Sequence, residues 1–347
     1  MTEVRSQSNQ QINSITVDES RFDAAFVYYS MRLKREELKA RAAGAATPIL
    51  NKSAFSELSF AVPPLSLQRR IASILGAYDD LIEVNRRRIA VLEEMARRLF
   101  EEWFVHFRFP GHEGVQFART QGDRLPNGWE LVPFQALLES WRGGDWGEDT
   151  LTTSETEPVF VVRGTDIDEL AQGTGNRVPA RFIDRKSLEK RGLRRFDLIV
   201  ENSINAKSRC AGKTLLVTPG VLKRLGGDSI AASFCKVFRF HDPQLAPIAH
   251  LHMKRLIETG DMALFQNVAA NGIANFQAQR FVAAQSLALP TDLALRQKLV
   301  GAFQALTAST FADAISNLRA TRDHLLPRLV SGDLPVTTAE RELEAVA

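Results

Sequence analysis

The sequence predicts an α+β chain in which one mostly β domain is flanked by two long helices. Three observations predict this class: an unbroken heptad seam over residues 71–103, a degenerate copy of that stretch near the end of the chain, and a set of short strand-like runs between the two. With 347 residues, 44% hydrophobic and 24% charged, the chain can bury a substantial core and hold more than one module. The net charge of +3 permits nucleic-acid binding without demanding it.

The first twenty residues, MTEVRSQSNQQINSITVDES, are polar and lack the apolar stretch of a signal peptide. No run of about 18 apolar residues follows anywhere, so no membrane span is expected. Cys210 and Cys235 cannot build a disulfide framework and sit in no Cys/His cluster. A reducing, cytoplasmic setting is the expectation.

Residues 22–42 read as a helix, with Phe26, Tyr29, Leu33 and Leu38 on one side and a KREELK run on the other. A loop leads to a short helix or turn at 52–57 and then to strand-like SFAVPP. Pro63-Pro64 ends that segment, and Ser66 can cap the helix that follows. Steps of four and three residues then give Ile71, Leu75, Tyr78, Ile82, Asn85, Ile89, Leu92, Ala96, Leu99 and Trp103. At about 1.5 Å per residue this is a rod of roughly 50 Å, suited to holding two things apart. The same heptads would also make an ordinary bundle or an oligomerisation coil. Asn85, the one amide in the seam, fixes register and partner in either case. An aromatic cluster, Phe104, Phe107 and Phe109, with Pro110 and Gly111, closes the helix.

Between 123 and 241 the character changes: the runs LPNGWELVPF, PVFVVRG, DLIVEN, TLLVTP and SFCKVFRF are short and separated by Gly, Asn, Asp and Pro. They read as a β domain completed by a helix at 245–260, after which Gly272 opens a loop reaching Asn275. Residues 145–169 hold eight acidic residues and one basic, whereas 177–213 hold eleven basic and four acidic. So basic a face can follow a phosphate backbone, although such charges can equally be solvated surface. SLALP at 286–290 then echoes SFAVP at 59–63, and a second long helical stretch runs from 293 to 329. Ile89, Leu92, Leu99 and Trp103 match Ile315, Leu318, Leu325 and Leu329; Asn85 matches Phe311; upstream, Gln68 matches Gln297.

On these residues the chain resembles the specificity subunits of type I restriction-modification enzymes. PPLSLQRRIASILGAYDDLIEVNRRRIAVLEEMARRLFEEWFVHF is similar to that family's central conserved region. LPNGW, GGDWG, VVRGTDI and the GIAN loop at 272–275 resemble parts of its target recognition domain, and HLLPRLVSGDL its distal conserved region. The resemblance implies two recognition domains, each reading half of a bipartite DNA sequence, held apart by antiparallel conserved helices that dock methylation subunits. Carried over, it gives a remnant of a first target recognition domain at 1–62, the central conserved helix at 63–110, one complete recognition domain at 111–290, the distal conserved helix at 291–334 and a flexible tail at 335–347. The LPxGW start of a first domain is absent, which implies a truncated subunit or a half-subunit that pairs with itself or with a fragment carrying that domain. The implied partners are double-stranded DNA, a methylation subunit and a restriction subunit, with no membrane.

No catalysis is expected of the chain itself, and no cofactor or metal. A methyltransferase would need a glycine turn after a strand and a polar-Pro-Pro-aromatic loop. AGKT at 211–214 has Lys207 where a phosphate loop needs its first Gly. His250 and His252, two apart on a helix, point to different faces. Function then rests on binding, and the candidate DNA-contacting residues are Arg163, Asn202, Ser203, Asn205, Lys207, Arg209, Lys213, Asn271 and Asn275. Asn and Arg suit bidentate contacts with adenine and guanine, and lysines suit phosphate. Any one of them could instead make only local backbone bonds. Trp141 and Trp146 read as core or turn packing rather than base stacking. The seam residues Ile71, Leu75, Tyr78, Ile82, Asn85, Ile89, Leu92, Leu99 and Trp103 are the candidates for helix pairing and partner docking. Two other readings compete: a coiled-coil DNA-binding regulator acting without modification subunits, and a divergent nuclease.

Overall fold

The computed structural model describes residues 12–42, 49–120, 123–151, 156–174, 178–205, 210–307 and 311–344. Its compact units are Met1–Val84 with Asn317–Ala347, and Asn85–Ser316. Each long helix therefore contributes to both units, where the sequence reading made the helices modules of their own.

In the first unit the predicted helix at 22–42 is broken at Lys34 into α1 (Ala24–Leu33) and α2 (Arg35–Arg41). Asp23 caps α1 by accepting the Phe26 N–H, and Asn51 caps α3 (Lys52–Ser56) by accepting that of Ala54. SFAVP at 59–63 forms no strand. The long helix α4 (Leu65–Phe100) follows as 36 residues without a break, roughly 54 Å of helix. Its early seam residues Ile71, Leu75, Tyr78 and Ile82 are all buried. Gln68 is buried with them and fully bonded. Its Oε1 accepts the Asp23 N–H at 2.9 Å and its Nε2 donates to Pro63 O at 2.8 Å. Asp79 accepts from both the Tyr29 hydroxyl, at 2.6 Å, and Arg322. A partly buried network of this kind ties register to polar pairing more sharply than apolar contacts alone.

In the second unit the stripe rotates. Ile89 and Ala96 stay buried, but Leu92, Leu99 and Trp103 are only half-buried while Phe100 and Phe104 go fully inside. A straight α-helix drifts by about 20° per heptad relative to a 3.5-residue repeat, and here the end of α4 packs into a domain core instead of a coil. The helix ends in a π-turn over Glu101–Val105, with the His106 N–H on Glu101 O and Phe107 at φ 56°. Asn85, buried as expected, accepts from Arg88 Nη1 at 3.3 Å, and that guanidinium lies over the ring of Phe311, the residue matching Asn85 in the repeat.

The β domain carries, in order, β1 (Phe117–Thr120), β2 (Asp123–Pro126), β3 (Trp129–Pro133), α5 (Phe134–Leu137), β4 (Leu138–Gly143), β5 (Thr156–Val162), α6 (Ile167–Ala171), β6 (Ala180–Asp184), α7 (Arg185–Arg191), β7 (Leu198–Glu201), β8 (Ser203–Asn205), β9 (Thr214–Leu216), α8 (Pro219–Leu225), β10 (Ser229–Ala231), β11 (Cys235–Phe240), α9 (Ala246–Glu258), β12 (Gln266–Val268), β13 (Ile273–Phe276), α10 (Ala278–Ala284) and β14 (Ser286–Pro290). The strands form a four-stranded sheet β4-β11-β7-β9, three-stranded sheets β10-β5-β6 and β12-β13-β8, and the pairs β1-β2 and β14-β3. LPNGW is explained by this arrangement. Gly128 turns the chain at φ 81°, and Trp129 enters an aromatic core with Phe104, Phe107 and Phe109.

The distal helical stretch consists of α11 (Leu293–Thr307) and α12 (Phe311–Ser331). The predicted match of Gln68 with Gln297 is corrected: Gln297 is exposed, and it is Arg296 that donates to Pro290 O, as Gln68 does to Pro63 O. Ile315, Leu318, Leu325 and Leu329 are buried. Gly332, at φ 84°, ends α12, with the Leu334 N–H reaching back to Arg328 O. The expected flexible tail is corrected as well, because α13 (Val336–Glu344) buries Val336 and Ala339 and pairs Glu340 with Arg70 at 2.8 Å. That periodicity is helical, and its apolar side has somewhere to go.

Candidate nucleic-acid interface

Five strand ends meet at one edge of the β domain. β11 runs antiparallel to β7 and β4, so Cys235 stands opposite Glu201 and Lys236 opposite Gly143. β10 runs parallel to β5, and the Ala232 N–H continues that pairing onto Val162 O. The ends of β4, β5, β7 and β10 and the start of β11 therefore lie together. Two glycines make this possible. A Cβ at Gly144 would lie 2.1 Å from Ala231 O, and one at Gly164 2.4 Å from Glu201 Oε1. These are the glycines of GGDWG and VVRGT. Arg191 braces the first motif by donating to Gly143 O and Gly144 O at 2.8 and 2.9 Å. Cys235 is enclosed here, and burial with the Glu201 and Asp166 carboxylates pushes its thiol up to about 12.

Beside this edge the sheet β8-β13-β12 presents a polar row. Ser203 stands opposite Asn275, and Asn275 opposite Asn267. Residues directly opposite in a ladder share a face, so these three side chains line up across three strands. The Ser203 hydroxyl donates to Asn275 Oδ1, and Asn267 is exposed. In the same register, two residues along, Asn205 stands opposite half-exposed Ile273. The other face of the sheet is apolar, with Ala274 and Phe276 buried. An outward sheet face of amides and a hydroxyl, rigidly spaced, offers donors and acceptors suited to base edges.

The sequence-predicted residues divide accordingly. Ser203 and Asn275 come together on that face, and the backbone of Asn205 pairs with that of Ile273 in the same ladder. Asn202 is next to it, but its Oδ1 is buried and its Nδ2 donates to the Ser203 hydroxyl at 3.3 Å. Asn271 caps its own turn, accepting the Ile273 N–H at 3.1 Å. Arg163 makes a bidentate pair with Asp166, at 2.9 and 2.7 Å, and that pairing raises its already high pKa. Lys213 pairs with Asp168 and lines a cavity of about 300 Å³ with Ile89, His250 and Lys254. Lys207 and Arg209 lie outside the described residues.

Of the basic stretch, Arg181 is taken by Asp149 and the face of Trp146 at 4.9 Å, while Arg239 of β11 makes a buried pair with Asp197. Arg185, Lys186, Lys190, Arg194 and Arg195 remain exposed on and just after α7. Trp141 and Trp146, read from sequence as core or turn packing, are both partly exposed, and Trp146 packs under Arg181 beside the Gly147 turn. His250 and His252 do point apart, to the Thr214 hydroxyl at 2.7 Å and to Gln285 Oε1 at 2.9 Å. Burial lowers them to about 3 and about 4, so both are neutral. Among the described residues, no group of His, Cys, Asp or Glu could hold a metal, and no helix is long and apolar enough to cross a membrane.

Sequence reasoning missed Asn267 and Phe234. The signal for Asn267 was present: Asn271-Gly272 is a hairpin turn, with Gly272 at φ 80°, and a hairpin centred there sets Asn267 against Asn275. The loop expected at this point is thus a β-hairpin.

Residues 3–94 match the model of the type I restriction modification DNA specificity domain. Over that stretch, about a quarter of its length, the chain is similar to type I restriction-modification specificity subunits. It is 28% identical over 121 residues to the type I restriction enzyme MjaVIII specificity subunit of Methanocaldococcus jannaschii, and 32% identical over 138 residues to the MjaIX specificity subunit of the same organism. Those matches take in 35% and 39% of this chain and span only 28% and 32% of the two relatives. The S subunit of the type I restriction-modification system of M. genitalium aligns over 90% of this chain and 74% of its own, at 12% identity and a TM-score of 0.46.

Proposed function

We propose that this chain is a type I specificity subunit and reads one half-site of a bipartite DNA sequence through the outward face of β8-β13-β12. The observation that carries the reading is the row Ser203–Asn275–Asn267 on an exposed sheet face whose reverse is core. Base edges would be read by that row, while Arg185, Lys186, Lys190, Arg194 and Arg195 would supply the sequence-independent attraction to phosphate. The role is non-catalytic, and the chemistry belongs to the partners.

The same reading assigns the docking of methylation subunits to α4. Its seam residues are occupied within the chain, but Val84, Val91 and Met95 are exposed on the opposite side of the helix at seam-like spacing. Residues 59–63, without a strand partner among the described residues, would take a strand from a partner copy or fragment.

The test is a base-resolution methylome after co-expression with the methylation subunit in a methylation-free host. An interrupted methylated motif is expected, and Asn275→Ala should relax one position of one half while Lys186→Ala lowers methylation at all sites alike. A soluble complex that leaves the genome unmethylated, or an Asn275→Ala variant with the wild-type motif, would overturn the assignment.

A further inference from the structure

The candidate interface contains one side chain that packing does not explain. Phe234 is 69% exposed, more than any other large hydrophobic residue among those described. It stands in the turn joining β10 to β11, and the backbone there is held on three sides. The Ala232 N–H donates to Val162 O, the Cys235 N–H to Ala232 O and the Asn202 N–H to Phe234 O, each at 2.8 Å. Gly144 lies against the carbonyls of Ala231 and Ala232. The ring is thus held in water by a fixed turn, not left there by a fraying loop. A polar residue would serve a purely structural turn as well, without holding an apolar ring in water.

Its location narrows the ligand. Asn202 donates its N–H to Phe234 O, and its own carbonyl accepts the Phe276 N–H at 2.7 Å, so the Phe234 turn is hydrogen-bonded to the residue that precedes Ser203. The row Ser203–Asn275–Asn267 begins one residue away. Amides suit the N6 and N7 of adenine; the thymine paired with that adenine shows its 5-methyl group on the same major-groove edge, and a phenyl ring is a fitting contact for it.

We propose that Phe234 is an apolar specificity residue of this interface, contacting the thymine 5-methyl group of an A·T pair in the half-site. The proposal rests on the DNA-reading assignment above. The test uses the full chain with its methylation subunit, selecting from randomised duplexes made once with thymidine and once with deoxyuridine, which lacks the methyl. The wild-type chain should prefer A·T at one position about fivefold more strongly in the thymidine library. Phe234→Ala should show the weaker preference in both libraries and keep every other position, whereas Phe234→Leu should retain the methyl dependence. The exposed ring makes loss of fold unexpected, and coincident thermal unfolding of the variants checks it.

A Phe234→Ala chain that keeps the wild-type methyl dependence overturns the proposal. So does equal loss at every position, or a wild-type preference indifferent to the methyl, as insertion of the ring between base pairs would give. If the wild-type chain enriches no motif at all, the DNA-reading assignment falls with it; if Asn275→Ala alters the motif and Phe234→Ala does not, only this inference falls.

Discussion

SFAVP at 59–63 and SLALP at 286–290 are nearly the same sequence with different outcomes. The second is β14, paired along its whole length with β3, from Ser286 opposite Pro133 to Pro290 opposite Trp129, with Leu287 and Leu289 buried. The first forms no strand; Val62, the counterpart of Leu289, is 42% exposed where Leu289 is 0%. Pattern and β propensity are matched, so neither decides the matter. A strand is a relation between two segments, and the pattern becomes one only where a complementary strand such as WELVP reaches it.

The largest expected effect tests that contrast. Leu289→Ala should destabilise the second unit by about 2–5 kcal/mol, the cost of emptying a buried leucine site that cannot fully collapse. Val62→Ala should stay within about 0.5 kcal/mol of wild type. Urea titration of both variants, followed by tryptophan fluorescence and far-ultraviolet circular dichroism, decides between them. Trp103, Trp129, Trp141 and Trp146 all belong to the second unit, so fluorescence isolates it. Equal losses in the two variants would mean that 59–63 is held in place as firmly as β14.

A smaller effect separates the units by pH. His250 and His252 are half-buried and neutral, with pKa values lowered to about 3 and about 4, and both lie in the second unit. A histidine whose folded pKa is depressed is protonated more readily in the unfolded chain. The unfolded state therefore gains protons as pH falls below about 6.5, and stability declines until the folded pKa is reached. By about pH 5 each histidine should have removed ~2 kcal/mol from the second unit. Tryptophan-detected unfolding should shift to lower urea between pH 7 and 5, and His252→Gln should blunt the shift. A first unit that weakens in parallel would point to some other titrating group.

Much of this was legible in the sequence, for reasons that differ by element. The long helix follows from heptads that stay apolar for several turns, and the strands at 158–162, 198–201, 214–216 and 235–240 from apolar runs between turn residues. What pattern could not supply was partnership. Arg163 sits where a base-reading arginine would, but its partner Asp166, three residues on, turns it into a local cap and ion pair. Lys213 is likewise taken by Asp168, 45 residues away in sequence. Conversely, Asn267 gains its place only through the register of β12 on β13. The turn at Asn271-Gly272 foretells the pairing of Asn267 with Asn275, but Ser203, 72 residues before Asn275, joins the row only through tertiary pairing.

The smallest effect bears on the helices of the repeat. Gly76 in α4 and Gly301 in α11 both lie inside helices, with open space where a Cβ would stand. Replacing either by Ala should stabilise its own unit by about 0.4–1 kcal/mol, chiefly by restricting the unfolded chain. The strand copies differ because one has a partner and the other has none among the described residues. Helical backbone bonds are internal to the segment, so the helix copies should respond alike. Circular dichroism should report both gains, and fluorescence only that of Gly301→Ala. A gain at Gly301 without one at Gly76 would show that the two copies of the repeat differ in their helices as well as in their strands.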